Sequence, residues 1–181
     1  MSWETSVLAL FEDLEQQAAG LHLVERDAEV ADLSAAAYAQ VTLAARLHAS
    51  VGCELRVRLR GGQVVGGRLA RVGEDWLLLV DRNAEWIVRT AGLLTVTGLS
   101  ARADSEGTWS VVDRLSLRSV LRGLAGTGDL CLVHFVDDQQ VEGRITRVGQ
   151  DFFEMLVGQG GDRALQVVAV HAVAALQGRS P

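Results

Sequence analysis

Two periodicities divide the chain. Through residue 50 the apolar positions recur at helical spacing: Val7, Leu10, Leu14, Leu21 and Val24, with Trp3, Phe11 and Ala18 widening the stripe. Asp32-Leu33-Ser34 interrupts this pattern with two good capping residues, and a second helix is predicted from Ala35 to Ser50. A single helix through both segments is the other reading. From Gly52 the period becomes two. Leu55, Val57 and Leu59 alternate with Arg56, Arg58 and Arg60, which predicts a half-buried strand with an arginine face. Gly61-Gly62 predicts a two-residue hairpin turn, and Gly66-Gly67 a bend in the following strand, 63–72. Further strands are predicted at 76–80, 86–90 and 94–97, with a tight turn at Ala91-Gly92-Leu93.

The pattern then repeats. Gly67-Arg68-Leu69-Ala70-Arg71-Val72-Gly73-Glu74-Asp75-Trp76-Leu77 returns 76 residues later as Gly143-Arg144-Ile145-Thr146-Arg147-Val148-Gly149-Gln150-Asp151-Phe152-Phe153. Arg46, Gly52, Gln63 and Val65 meet Arg122, Gly128, Gln139 and Val141 at the same offset. Such self-similarity predicts two copies of one small β unit. The second copy follows a polar, Gly/Ser-containing linker, a capping-box-like Ser110-Val111-Val112-Asp113 and a helix bearing Leu115, Leu117, Val120, Leu121 and Leu124. Its strands read 130–136, 139–148, 152–157, 165–170 and 173–176, and Asp137-Asp138 replaces the Gly-Gly turn. The predicted organisation is an acidic N-terminal helix at 1–33, a helix plus first barrel at 34–99, a linker at 100–109, and a helix plus second barrel at 110–178.

A helix followed by five short strands, with a long bent second strand and a tight turn before the fifth, resembles the Sm-like small barrel, a relative of SH3-like barrels. The likeness is closest to its Hfq branch. The second copy carries it best, in Val133-His134-Phe135-Val136, Glu142-Gly143-Arg144-Ile145, Gln150-Asp151-Phe152-Phe153 and Gln166-Val167-Val168-Ala169-Val170-His171-Ala172-Val173. The fold class this implies is α+β, mainly β: two tandem five-stranded Sm-like barrels, each preceded by a helix, with an extra acidic amphipathic helix in front. The resemblance also implies that the fourth and fifth strands are edges, which family members close by forming rings; two tandem barrels can satisfy one such pairing within the chain and leave an outer edge at each end. The RNA pockets of the family are not matched. Of the Hfq Tyr-Lys-His triplet only His171 is present, beside Ala169 and Val170; Leu79 and Met155 stand where Sm proteins carry an Asn.

Charge restrains the functional reading. All seventeen basic residues are arginine, and the net charge is −6, so the whole chain lacks the positive field that drives non-specific nucleic-acid binding. The best basic surface is Arg56, Arg58 and Arg60 with Arg68 and Arg71, to which His171 is added as a candidate nucleic-acid or partner contact. The matching row in the second copy is Leu132, His134 and Val136, an apolar strand face that needs covering by the N-terminal helices, the other barrel or a partner chain, and it is a candidate protein interface. His22, His48, His134 and His171 lack ligand spacing, so no metal is expected, and no nucleophile elbow or phosphate loop predicts an enzyme or a cofactor. Cys53 and Cys131 lack a Cys-x-x-Cys partner and read as small buried residues in a reducing compartment. With neither a leader-like start nor a membrane-length apolar run, the expected location is the cytoplasm, with no membrane and no small-molecule substrate. The expectation is therefore a non-enzymatic adaptor acting on a protein partner or on itself, as a dimer ahead of a ring. The alternative is a Sm-like RNA-binding regulator, with RNA affinity expected to be weak.

Overall fold

In the computed structural model, residues 30, 32–104, 107, 109–110, 112–158 and 163–179 are described. The expected acidic helix falls almost wholly outside them. The chain divides into two compact units, 1–41 and 42–181. Within the first, residues 32–38 are helical and turn out of the helix at 39–40. The second unit opens with α1, Leu43–His48, whose N-cap Thr42 accepts a hydrogen bond from the amide of Ala45. The predicted 35–50 helix is thus broken, and Thr42 restarts it.

Ten strands follow. The first five are β1 (Glu54–Leu59), β2 (Val64–Val72), β3 (Trp76–Val80), β4 (Ala84–Arg89) and β5 (Leu93–Thr97). Helix α2, Leu117–Thr127, leads to β6 (Leu130–Phe135), β7 (Gln140–Val148), β8 (Phe152–Val157), β9 (Ala164–Ala169) and β10 (Val173–Arg179). The repeat is reproduced in the register. Arg58 pairs with Thr95 as His134 pairs with Ala175, and Leu77 pairs with Val88 as Phe153 pairs with Val168. The glycine of the long strand serves close approach: a Cβ on Gly67 or Gly143 would lie 2.9 or 2.7 Å from the carbonyl oxygen of Val80 or Leu156. A register shift of the pairing falls later, between Leu69 and Arg71 and again between Ile145 and Arg147.

The expectation of two separate five-stranded barrels is overturned. All ten strands form one antiparallel sheet in the order β5-β1-β2-β3-β4-β10-β6-β7-β8-β9, which does not close, and its outer strands are β5 and β9. The halves are fused where β10 pairs with β4 on one side and β6 on the other. The physical cause is the continuous apolar run Val173-Ala174-Ala175-Leu176, buried on both faces. Ala174 and Ala175 belong to the core of the first half, with Leu47, Val57, Leu69 and Leu79; Val173 and Leu176 belong to the second, with Leu121, Val133, Phe153 and Met155. Strands β3 and β4 share this double role. Leu77, Leu79 and Val88 face the first core, whereas Trp76, Leu78 and Ile87 pack on the second.

Candidate interaction surfaces

Strand β1 is the simplest case of alternation, with Leu55, Val57 and Leu59 buried and Arg56, Arg58 and Arg60 exposed. Cross-strand pairing builds the face around them. Arg56 stands opposite Gly66 and Thr97, Arg58 opposite Val64 and Thr95, and Glu54 opposite Arg68. Arg56, Arg58 and Arg68 therefore share one solvent face, with Arg60 at its end beside the Gly61-Gly62 turn. Arg71 lies beyond the bulge, where its charge acts on Asp113. His171 sits on a different element, the short turn Val170–Ala172 before β10, and its carbonyl accepts a hydrogen bond from Arg89. The structure thus groups three of these six residues firmly and places Arg71 and His171 elsewhere.

The matching row of the second half is covered from within the chain. His134 is only 5% exposed, and Leu132 and Val136 are half-buried. The Trp86 ring lies 5.0 Å from the His134 ring, His134 Nε2 is 3.3 Å from Gln177 Oε1, and Val136 packs on the first core. Burial lowers the His134 pKa despite the Gln177 bond and the charge of Asp138, which both raise it. This apolar row is therefore the inner seam between the two halves.

The outer wall of β8 and β9 escaped the sequence reading. Phe152 occupies the register position of Trp76, and Val167 that of Ile87. Trp76 and Ile87 pack on the second core, whereas Phe152 and Val167 are exposed. Val167 is 67% exposed and Leu165 59%. The 76-residue offset was the signal for Phe152, which it sets on Trp76, whereas a four-residue extension between β8 and β9 hides the match of Val167 to Ile87.

A second cluster surrounds the segment joining the halves. Arg46 donates to the carbonyl of Ser100, the Ser100 amide donates to Ser50 Oγ, and the Asp104 amide donates to the carbonyl of Ala45. The rings of His48 and Trp109 stack at 4.1 Å. Burial lowers the His48 pKa, against the opposing charges of Asp113 and Asp104. Burial raises that of Asp113, yet hydrogen bonds from Ser110 and the charges of His48 and Arg71 outweigh it and hold this carboxyl below its usual range.

Chemistry elsewhere is sparse. Cys131 is buried and its thiol is pushed up to about 11 by desolvation and by Glu142, which leaves it a poor nucleophile. A cavity of about 330 Å³ opens between the end of α2 and the seam, lined by apolar Ile87, Leu124, Leu130 and Leu176 with Glu85 and Asp129. Among the described residues, no three His, Cys, Asp or Glu side chains converge on a metal position, and no helix is long and apolar enough to cross a membrane. No protein-family model and no curated protein matches the chain.

Proposed function

We propose that the protein is a non-enzymatic cytoplasmic adaptor that works by holding protein partners on its sheet surfaces. The carrying observation is the outer strand β9. It exposes Leu165 and Val167, carries no charged residue or proline between Ala164 and Ala169, and has one edge unpaired among the described residues. An uncharged apolar edge strand is an association surface unless something covers it. The equivalent first-half wall, β4, is covered by β10 inside the chain, so this sheet already uses that geometry once. The two unpaired thiols support a reducing compartment.

Cross-linked pull-down from the native cell, with and without RNase, tests the reading. Partners retained after RNase and lost with Leu165→Lys and Val167→Lys are the expected result. Capture that disappears with RNase and survives both substitutions would reject it. The second reading, an RNA-binding regulator, rests on the shared solvent face of Arg56, Arg58 and Arg68. It predicts the opposite outcome in the same experiment.

A further inference from the structure

The chain contains its own control for what binds beside its fifth strand. In the second half that strand is β10, and β4 lies along its outer edge. Trp86, opposite Gln177, reaches across β10 to the ring of His134. In the first half the same positions are held by β5, Thr97 and Arg58, because Arg58 pairs with Thr95 as His134 pairs with Ala175, and Arg56 with Thr97 as Leu132 with Gln177. Here, among the described residues, the outer edge is unpaired, and the row that is Leu132, His134 and Val136 in the seam has become Arg56, Arg58 and Arg60.

We propose that the free edge of β5 is a docking site for an extended acidic peptide, which adds as an antiparallel strand and sets alternate carboxylates over Arg56 and Arg58. The proposal rests on the adaptor reading and names the partner chemistry of a second surface. Three observations carry it. Strand β5, Leu93–Thr97, has neither charge nor proline to blunt its edge, so main-chain hydrogen bonds are on offer along it. A side chain opposite Thr97 is placed to reach Arg58, as Trp86 reaches His134, and residues two apart on an added strand share that face. The guanidinium groups there are exposed, and Arg58 faces only Val64 and Thr95 across the neighbouring strands.

The same observations weigh against other occupants. A polynucleotide has no backbone to continue a β ladder. A second copy presenting β9 would set an uncharged strand over Arg56 and Arg58 and leave their charges buried without partners, which is strongly unfavourable.

The test uses the full chain and fluorescein-labelled octapeptides read by anisotropy. One alternates Glu with Val, one alternates Lys with Val, and a third is the Glu peptide with every second amide N-methylated on its ladder-forming edge. The Glu peptide is expected to bind at least about tenfold tighter than the Lys peptide, a difference of about 1.4 kcal/mol. It should lose at least that factor on N-methylation, and again with Arg56→Gln plus Arg58→Gln. Hydrogen exchange at 93–97 should slow only with the unmodified Glu peptide. Equal binding of the Glu and Lys peptides, or of the N-methylated form, would overturn the proposal. So would submicromolar binding of a uridine-rich oligomer abolished by the double variant, or concentration-dependent self-association abolished by it. The Leu165→Lys and Val167→Lys variants leave this edge untouched, so failure here with RNase-resistant capture at β9 intact removes the peptide site alone.

Discussion

The entry to α2 offers a sharp test of how the two halves are tied. Its N-cap, Ser116, makes no side-chain capping bond. The amide of Leu117 instead donates to Asp75 Oδ1 at 2.6 Å, from the β2–β3 turn of the other half. The same turn binds the approach to the helix twice more, since the Trp76 indole and the Glu74 amide both donate to the carbonyl of Leu115. Removing the carboxylate in Asp75→Ala orphans a helix N-terminal donor, worth about 1 kcal/mol in comparable caps. It also removes a negative charge from the positive end of the helix, worth about 0.3–1 kcal/mol more. The expected loss is about 1–2 kcal/mol, or a fall of about 3–6 °C in Tm for a unit of this size. Asp151 is the built-in control. It occupies the same position in the second turn and uses its main-chain carbonyl in the same way, accepting from Val170 as Asp75 accepts from Thr90. No helix of the described residues starts at its carboxylate, so Asp151→Ala should stay within about 0.5 kcal/mol of the parent. Asp75→Asn, which can still accept the bond, should recover most of the loss. Urea unfolding followed by circular dichroism measures all three. Equal losses for Asp75→Ala and Asp151→Ala would refute the assignment of this cap.

Gly143→Ala should cost about 1–3 kcal/mol by forcing β7 and β8 apart, because the new Cβ meets the main-chain oxygen of Leu156. Gly123→Ala, inside α2 with open space around its Cβ position, should gain about 0.5–1 kcal/mol in the same thermal melts. Stability should fall as pH drops below 6.5. Burial holds the folded-state pKa of His48 and His134 below the ordinary value of 6.5, so the unfolded chain binds protons first. Their contribution is full above pH 6.5, and replacing both with Gln should flatten that limb of the profile; an unchanged slope would disprove it. Ellman's reagent at pH 8 should leave Cys131 unmodified in the native protein, since a thiol pushed up to about 11 is almost entirely protonated there. Rapid native labelling that Cys131→Ser abolishes would count against its burial.

Much of the local structure was legible in the chain because it depends on near neighbours. The alternation of Leu55, Val57 and Leu59 with three arginines predicted the faces of β1, and the observed burial follows it. The predicted two-residue turn is a three-residue loop, Arg60 to Gly62, closed by the Leu59 amide donating to the carbonyl of Gln63; Gly61 and Gly62 take positive φ there, and Asp138 does in the copy. The register of the two halves follows the offset read from the sequence, extended by four residues between β8 and β9. At the glycines predicted to bend the strand, the structure shows Gly67 admitting the carbonyl of Val80, and the register shift lies beside Ala70. A glycine that marks a bend and one that admits a neighbouring carbonyl look alike in a sequence.

What the sequence alone determined was the set of parts: two equivalent five-strand patterns, their strand spans to within a few residues, and the side of β1 that meets solvent. These follow from residue periodicity and turn chemistry, which act over a few positions. An edge pairing within the chain was expected from the resemblance; what only the tertiary structure decided was that this pairing makes one continuous sheet, and what it buries. Strand β10 lies beside β4 because the run Val173–Leu176 gains burial on both faces there, and that choice depends on residues more than eighty positions away. The same joining chose, among the coverings open to Leu132, His134 and Val136, the other half of the chain, left Arg56 and Arg58 facing solvent, and exposed Val167 on the outer strand. Periodicity marks that a face is apolar, but only non-local pairing decides what covers it.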